Sequence, residues 1–118
     1  TDITMREKIE VATSGISGGA KRVRITSSGF SPSTLAIRAG ETVEFINEDS
    51  ALHWPASAVH PTHTVYPTTG GCIGSTFDAC RGLAEGENFM FTFGEVGTWR
   101  YHDHLNVGAP FVGSITVG

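Results

Sequence analysis

Short stretches of alternating apolar and polar residues, separated by turn signals, recur along this chain and limit it to a β-rich fold class. The alternation is clear in residues 88–93, where Phe89, Phe91 and Phe93 share one face. No segment shows a convincing period of 3.6 residues, so the pattern predicts an all-β sandwich or barrel. Strands are expected over residues 23–26, 34–38, 42–47, 88–93, 97–103 and 113–117, with an edge strand near 8–13 and a turn over 29–32.

Composition excludes several classes of partner. The chain has 118 residues and a formal net charge of −4 at pH 7, without a basic cluster, so no nucleic-acid partner is expected. No apolar run approaches the roughly 18 residues that would suggest a membrane span. The length fits one domain with a single core, over residues 1–118.

The two cysteines, Cys72 and Cys80, lie close together in a glycine-rich stretch. An even count in a small domain favours a disulfide between them and an extracytoplasmic location, periplasmic or secreted. The alternative is a pair of reduced thiols in a cytosolic protein. The spacing fits neither a Cys-x-x-Cys redox motif nor a zinc knuckle.

The histidines are distributed as in a metal site. In residues 97–104, which are rich in β-formers, alternation puts His102 and His104 on one face of a strand and Asp103 on the other. Two imidazoles on one face can bind one metal ion or two adjacent ones. The other three histidines of the chain lie upstream, in a loop-like excursion over residues 48–86: His53, His60 and His63.

Two regions of the chain resemble the cupredoxins, the plastocyanin-like copper proteins. The first runs from Gly29-Phe30-Ser31-Pro32 through residues 35–49 to His53, and the second comprises residues 97–101 and 113–117. Together they cover most of residues 22–54 and 87–118. The resemblance implies an all-β, Greek-key β-sandwich or barrel of the cupredoxin type, with a long loop insertion around residues 48–86.

The resemblance does not extend to a blue-copper site, which needs a thiolate, two imidazoles and usually a weak axial thioether. His53 matches the first imidazole of the pattern. Asp103 stands at the cysteine position, Asn106 at the second histidine and Phe111 at the methionine. Because the sulfur ligand is missing, a blue electron carrier is not expected.

Residues 97–104 also resemble the Gly-Thr-aromatic-x-Tyr-His-Ser-His motif of multicopper oxidases. Leu52-His53-Trp54 resembles the first His-Trp-His motif of those enzymes, with Pro55 in place of the second histidine. Residues 60–63, His-Pro-Thr-His, are similar to their His-Pro-x-His motif but lie elsewhere in the chain. In that family the His-x-His pairs face an interface between cupredoxin domains, where eight histidines hold three coppers.

The sequence therefore predicts a metal site with His53, His102 and His104 as core ligands. The alternatives are a structural, hydrogen-bonded His53 beneath Trp54 and solvated imidazoles at 102 and 104. His60 and His63 either complete or cover this site or are surface polar residues. Asp103 is interpreted first as an acceptor that orients an imidazole, with an oxygen ligand or a turn-satisfying acid as alternatives. All-imidazole sites suit copper and zinc, and the resemblance favours copper.

Three functions are consistent with these residues. The leading one is a non-blue copper-binding protein in metal handling or redox chemistry. The second is a small multicopper-oxidase-like enzyme, a homo-oligomer with a copper cluster at its subunit interfaces. The third is an interaction module without metal that keeps only the fold. The sequence identifies no substrate and no protein partner.

Overall fold

A computed structural model describes residues 21–118, which form an all-β structure of eight strands. The alternation in the sequence sets most of them, because one face of each strand packs inward while the other meets solvent. The strands are β1 (Lys21–Thr26), β2 (Gly29–Ser31), β3 (Thr34–Ile37), β4 (Thr42–Asn47), β5 (Pro55–Ser57), β6 (Asn88–Thr92), β7 (Gly97–Asp103) and β8 (Val112–Val117).

The strands form two four-stranded sheets. One has the order β2-β1-β4-β6 and the other the order β3-β8-β7-β5. β1 pairs with β4, and β3 with β8, in parallel, whereas the remaining pairs are antiparallel. β7 therefore lies inside the second sheet, between β8 and β5, and its residues have fixed neighbours on both sides.

The core lies between the two sheets and is rich in aromatic side chains. Phe45 and Tyr101 approach each other from opposite sheets, with ring centroids 5.3 Å apart. The segment between β5 and β6 also contributes Tyr66 and Phe77, both buried. Burying a large apolar side chain contributes about 1.5–3 kcal/mol, so these two residues anchor the long segment to the sandwich. Gly113 permits this packing, since a Cβ there would lie 2.7 Å from the Tyr101 hydroxyl.

The predicted fold class is confirmed, with two local differences. The turn predicted over residues 29–32 was placed wrongly, because residues 29–31 form β2 and pair with β1 after a turn at Ser27 and Ser28. The excursion over residues 48–86 contains the short strand β5, which adds to the edge of the second sheet. The edge strand expected near residues 8–13 lies outside the described residues.

Within residues 21–118, no helix has the length and apolar character needed to cross a membrane.

Candidate metal centre

Four imidazoles converge at one end of the second sheet. The ligand nitrogens of His60, His63, His102 and His104 all lie within 4.8 Å of one another. His63 and His102 are buried, His104 is half-buried and His60 is exposed. We call this set the four-histidine group. Solvent therefore reaches the group at His60.

Separate elements position these rings. His102 is the last residue on the outward face of β7. His104 follows directly after the strand, where its backbone N–H donates to the carbonyl of Trp54 at 2.7 Å. The indole of Trp54 packs on the His104 ring, with centroids 4.5 Å apart. His63 lies in the loop after β5, in the left-handed region at φ 56°, and its N–H donates to Val59. Such backbone values are uncommon for residues other than glycine and often occur at functional sites.

Asp78 orients His63 from the side away from the group. Its buried carboxylate accepts from His63 Nδ1 at 2.8 Å, from Trp54 Nε1 at 2.6 Å and from the Cys80 N–H at 2.8 Å. With Nδ1 donating to Asp78, His63 presents Nε2 to the group, 3.1 Å from His104 Nδ1. A carboxylate behind an imidazole is a frequent supporting contact in metal sites.

Sequence reasoning missed Asp78. The acid lies inside the loop closed by the Cys72–Cys80 disulfide, and this predicted disulfide is confirmed. The signal that the sequence offered for Asp78 is its position two residues before the bridged Cys80. Only the fold shows that this loop brings Asp78 behind His63.

One buried side-chain atom of the group has no hydrogen-bond partner in the part of the chain that the structure describes. His102 Nε2 is buried and makes no hydrogen bond to residues 21–118. An unpaired buried polar atom costs about 1–3 kcal/mol, and a metal ion bound to that nitrogen removes the cost. The donor set therefore fits a metal that accepts imidazole nitrogen.

Burial disfavours the charged forms of two of these rings, His102 and His104. The pKa of His102 is lowered to about 4. Desolvation is the largest cause of this shift, followed by repulsion from His63, His60 and His104. Desolvation also lowers the pKa of His104. At neutral pH both rings are uncharged, and each has a lone pair available for a metal ion.

We expect the metal-free protein to lose stability as the pH falls from about 6.5 towards 4. In this window the unfolded chain protonates His102, whereas the folded chain keeps it neutral until the pH reaches its pKa of about 4. Stability is thus greatest above the unfolded pKa and declines below it. Urea midpoints measured across this range test the prediction, and the His102→Gln variant should show a smaller decline. An equal decline in both proteins would contradict it.

The structure does not bring His53 into the four-histidine group. Its ring is buried, with Nδ1 2.5 Å from Asp103 Oδ2 and Nε2 2.8 Å from Asp49 Oδ2. The hydrogen bond from His53 lowers the pKa of the Asp49 carboxyl. Both nitrogens of the ring are thus engaged by carboxylates.

Asp103 is the centre of a second polar cluster, the buried pocket of hydrogen bonds around His53. Its buried side chain accepts from His53 and from three further donors: the N–H of Trp54 at 2.8 Å, the N–H of Leu105 at 3.0 Å and Asn106 Nδ2 at 2.9 Å. Phe111 stacks on the His53 ring at 5.0 Å between centroids. The four positions matched to blue-copper ligands therefore lie together, joined by hydrogen bonds and packing.

No protein-family model matches the chain. Among solved structures, it is similar to a purple cupredoxin from Nitrosopumilus maritimus, at 24% identity and a TM-score of 0.65, covering 83% of this chain and 99% of that one. It is also similar to the reduced Cu(I) form of an amicyanin mutant, at 21% identity and a TM-score of 0.64, covering 87% and 86% of the two chains. The arrangement of strands and these likenesses together establish that the chain has a cupredoxin fold.

Proposed function

We propose that the four-histidine group, His60, His63, His102 and His104, binds one copper ion in a site without sulfur, for copper handling or redox chemistry. One observation carries the proposal: four ligand nitrogens from a single chain lie within 4.8 Å of one another. The buried, unpartnered nitrogen of His102 adds to it.

The donor set favours copper over other ions. Cys72 and Cys80 are joined to each other, so neither supplies a thiolate. Imidazole donors suit copper and zinc, and Cu(II) binds a given nitrogen site more tightly than Zn(II). The similar amicyanin mutant is a Cu(I) form on the same fold. Copper held here would supply one-electron chemistry, with zinc as the less favoured occupant.

The residues around the four-histidine group orient its rings and set its exposure to solvent. Asp78 holds His63 so that Nε2 faces the group, and Trp54 covers the ring of His104. His60 is exposed and gives access from solvent.

The disulfide favours an oxidising, extracytoplasmic location, periplasmic or secreted, for this single domain over residues 1–118.

Titration with Cu(II) tests the proposal. We expect one copper per chain, an EPR spectrum with nitrogen ligation, and a pale protein without the intense absorption of a copper–thiolate bond. Failure of the folded protein to bind Cu(II) or Zn(II) at micromolar levels would contradict it and favour the module without metal. More than one copper per chain in a stable oligomer that consumes oxygen would favour the oxidase-like alternative.

Asp78→Asn is expected to weaken copper binding by about 10–100-fold, the usual effect of losing a carboxylate behind a ligating histidine. In this variant, His63 Nδ1 faces either the amide nitrogen, which is itself a donor, or the amide oxygen, which is an uncharged acceptor. In both cases the ring is no longer held in one tautomer. Competition with a chelator measures the affinity. The matched control is Asp49→Asn, since Asp49 contacts His53 and not the group. Equal affinities of the Asp78→Asn variant and the wild type would contradict the assignment.

A further inference from the structure

A cavity of about 370 Å³ adjoins the four-histidine group. Its lining residues come from strand β7 and from the segments 58–65 and 107–112. Two members of the group, His60 and His102, are among them. Its size lies within the range of small-molecule sites, which begins near 300 Å³. A molecule in this cavity lies directly beside any ion that the group holds.

The walls of this cavity are apolar although they are open to solvent. Four of its lining residues are valines with large exposed fractions: Val59 at 58%, Val65 at 39%, Val107 at 61% and Val112 at 38%. We call it the valine cavity. Exposed aliphatic side chains that are gathered in one concave place mark a binding surface more often than single exposed ones do. The walls therefore favour an occupant with an apolar body.

A cation lies at the edge of this apolar surface. Arg100 lines the valine cavity and is two residues before His102 on β7, so both side chains share one face, about 7 Å apart along the strand. None of the described lining residues is an acid, and no carboxylate of residues 21–118 forms an ion pair with Arg100. The charge complement of this guanidinium is a carboxylate, which it binds through two parallel hydrogen bonds.

We infer that the valine cavity binds a small organic acid with an apolar body, whose carboxylate meets Arg100 while its body lies along the valines. The far end of such a molecule reaches His60 and His102. The inference deepens the proposed function, on which its placement beside a metal rests, by naming the chemical class of ligand for that site.

Benzoate is the probe, and benzyl alcohol is its uncharged counterpart. In the metal-free full chain, benzoate should shift the NMR signals of residues 58–65, 100–102 and 107–112, saturating in roughly the millimolar range for a ligand of this size. Benzyl alcohol should bind more weakly. In the copper-loaded protein, benzoate should change the EPR spectrum, and an unchanged spectrum contradicts the placement beside the metal.

Variants locate the contact. Arg100→Met keeps the stem but removes the charge, and should weaken benzoate binding about tenfold, whereas Arg100→Lys should retain part of the affinity. Val107→Glu should weaken binding by charge repulsion. Val96→Glu is the matched control, because Val96 is a 68% exposed valine that does not line the cavity. Unchanged affinity in both Arg100→Met and Val107→Glu overturns the inference.

The test separates this inference from the proposed function. A chain that binds copper but not benzoate overturns the inference alone. A chain that binds benzoate with the expected dependence on Arg100 but does not bind copper supports the cavity and contradicts the proposed metal site alone.

Discussion

Replacing Asp103 by alanine is expected to lower the free energy of unfolding by about 3–5 kcal/mol. The substitution removes one buried carboxylate that accepts from four donors: the His53 ring, the Asn106 amide and the backbone N–H groups of Trp54 and Leu105. Each donor that is left buried without an acceptor costs about 1–3 kcal/mol, and water can reach only some of them. The apolar face of Phe111 offers no substitute acceptor.

Urea unfolding of the metal-free protein measures this loss. Asp103→Asn keeps the size and one acceptor oxygen, so its loss should be intermediate. Glu85→Ala is the control, since Glu85 is an exposed acid and its removal should change stability by no more than about 0.5 kcal/mol. If Asp103→Ala were as stable as that control, the hydrogen bonds around Asp103 would not stabilise the fold.

His102→Ala is expected to weaken Cu(II) binding by more than the roughly 10–100-fold effect of losing a supporting contact. His102 is the buried member of the group whose Nε2 has no other described partner, so the variant leaves the ion one nitrogen short. Adding His104→Ala removes a second donor and should abolish binding at micromolar copper. Copper content after dialysis and the EPR spectrum measure both effects.

The control for this series is His53→Gln. It should keep the copper affinity, since His53 lies outside the four-histidine group, yet it should lower stability through the lost contacts to Asp49 and Asp103. The opposite result, copper lost from His53→Gln and kept in His102→Ala, would place the ion in the pocket around Asp103 and overturn the proposed site.

Much of the fold follows from local pattern. Alternation predicted six of the eight strands in residues 21–118, and it placed the imidazoles of residues 102 and 104 on the opposite face to Asp103. The sequence did not predict β2 and β5, because each has three residues, too few for alternation to be recognisable. Their positions depend on pairing with β1 and β7, which is a property of the whole sheet.

The site was harder to predict because its members are distant in sequence. The resemblance predicts His53 as a metal ligand, but the acid at position 103 gives that ring a carboxylate partner. His60 and His63 reach the group through a loop whose path depends on burying Tyr66 and Phe77. Asp78 arrives through the disulfide loop. None of these contacts has a periodic signature.

The pairing of β7 with β8 restricts the insertions and deletions that the chain can accept. Arg100 pairs with Ser114 and His102 with Val112, and this register assigns odd-numbered residues to the interior and even-numbered ones to the outer face. One inserted or deleted residue within β7 exchanges the two faces, moving Asp103 outward and the imidazoles inward. Two unlike sets of side chains are thus encoded on one strand of seven residues, and a single inserted or deleted residue within β7 should disrupt both of them.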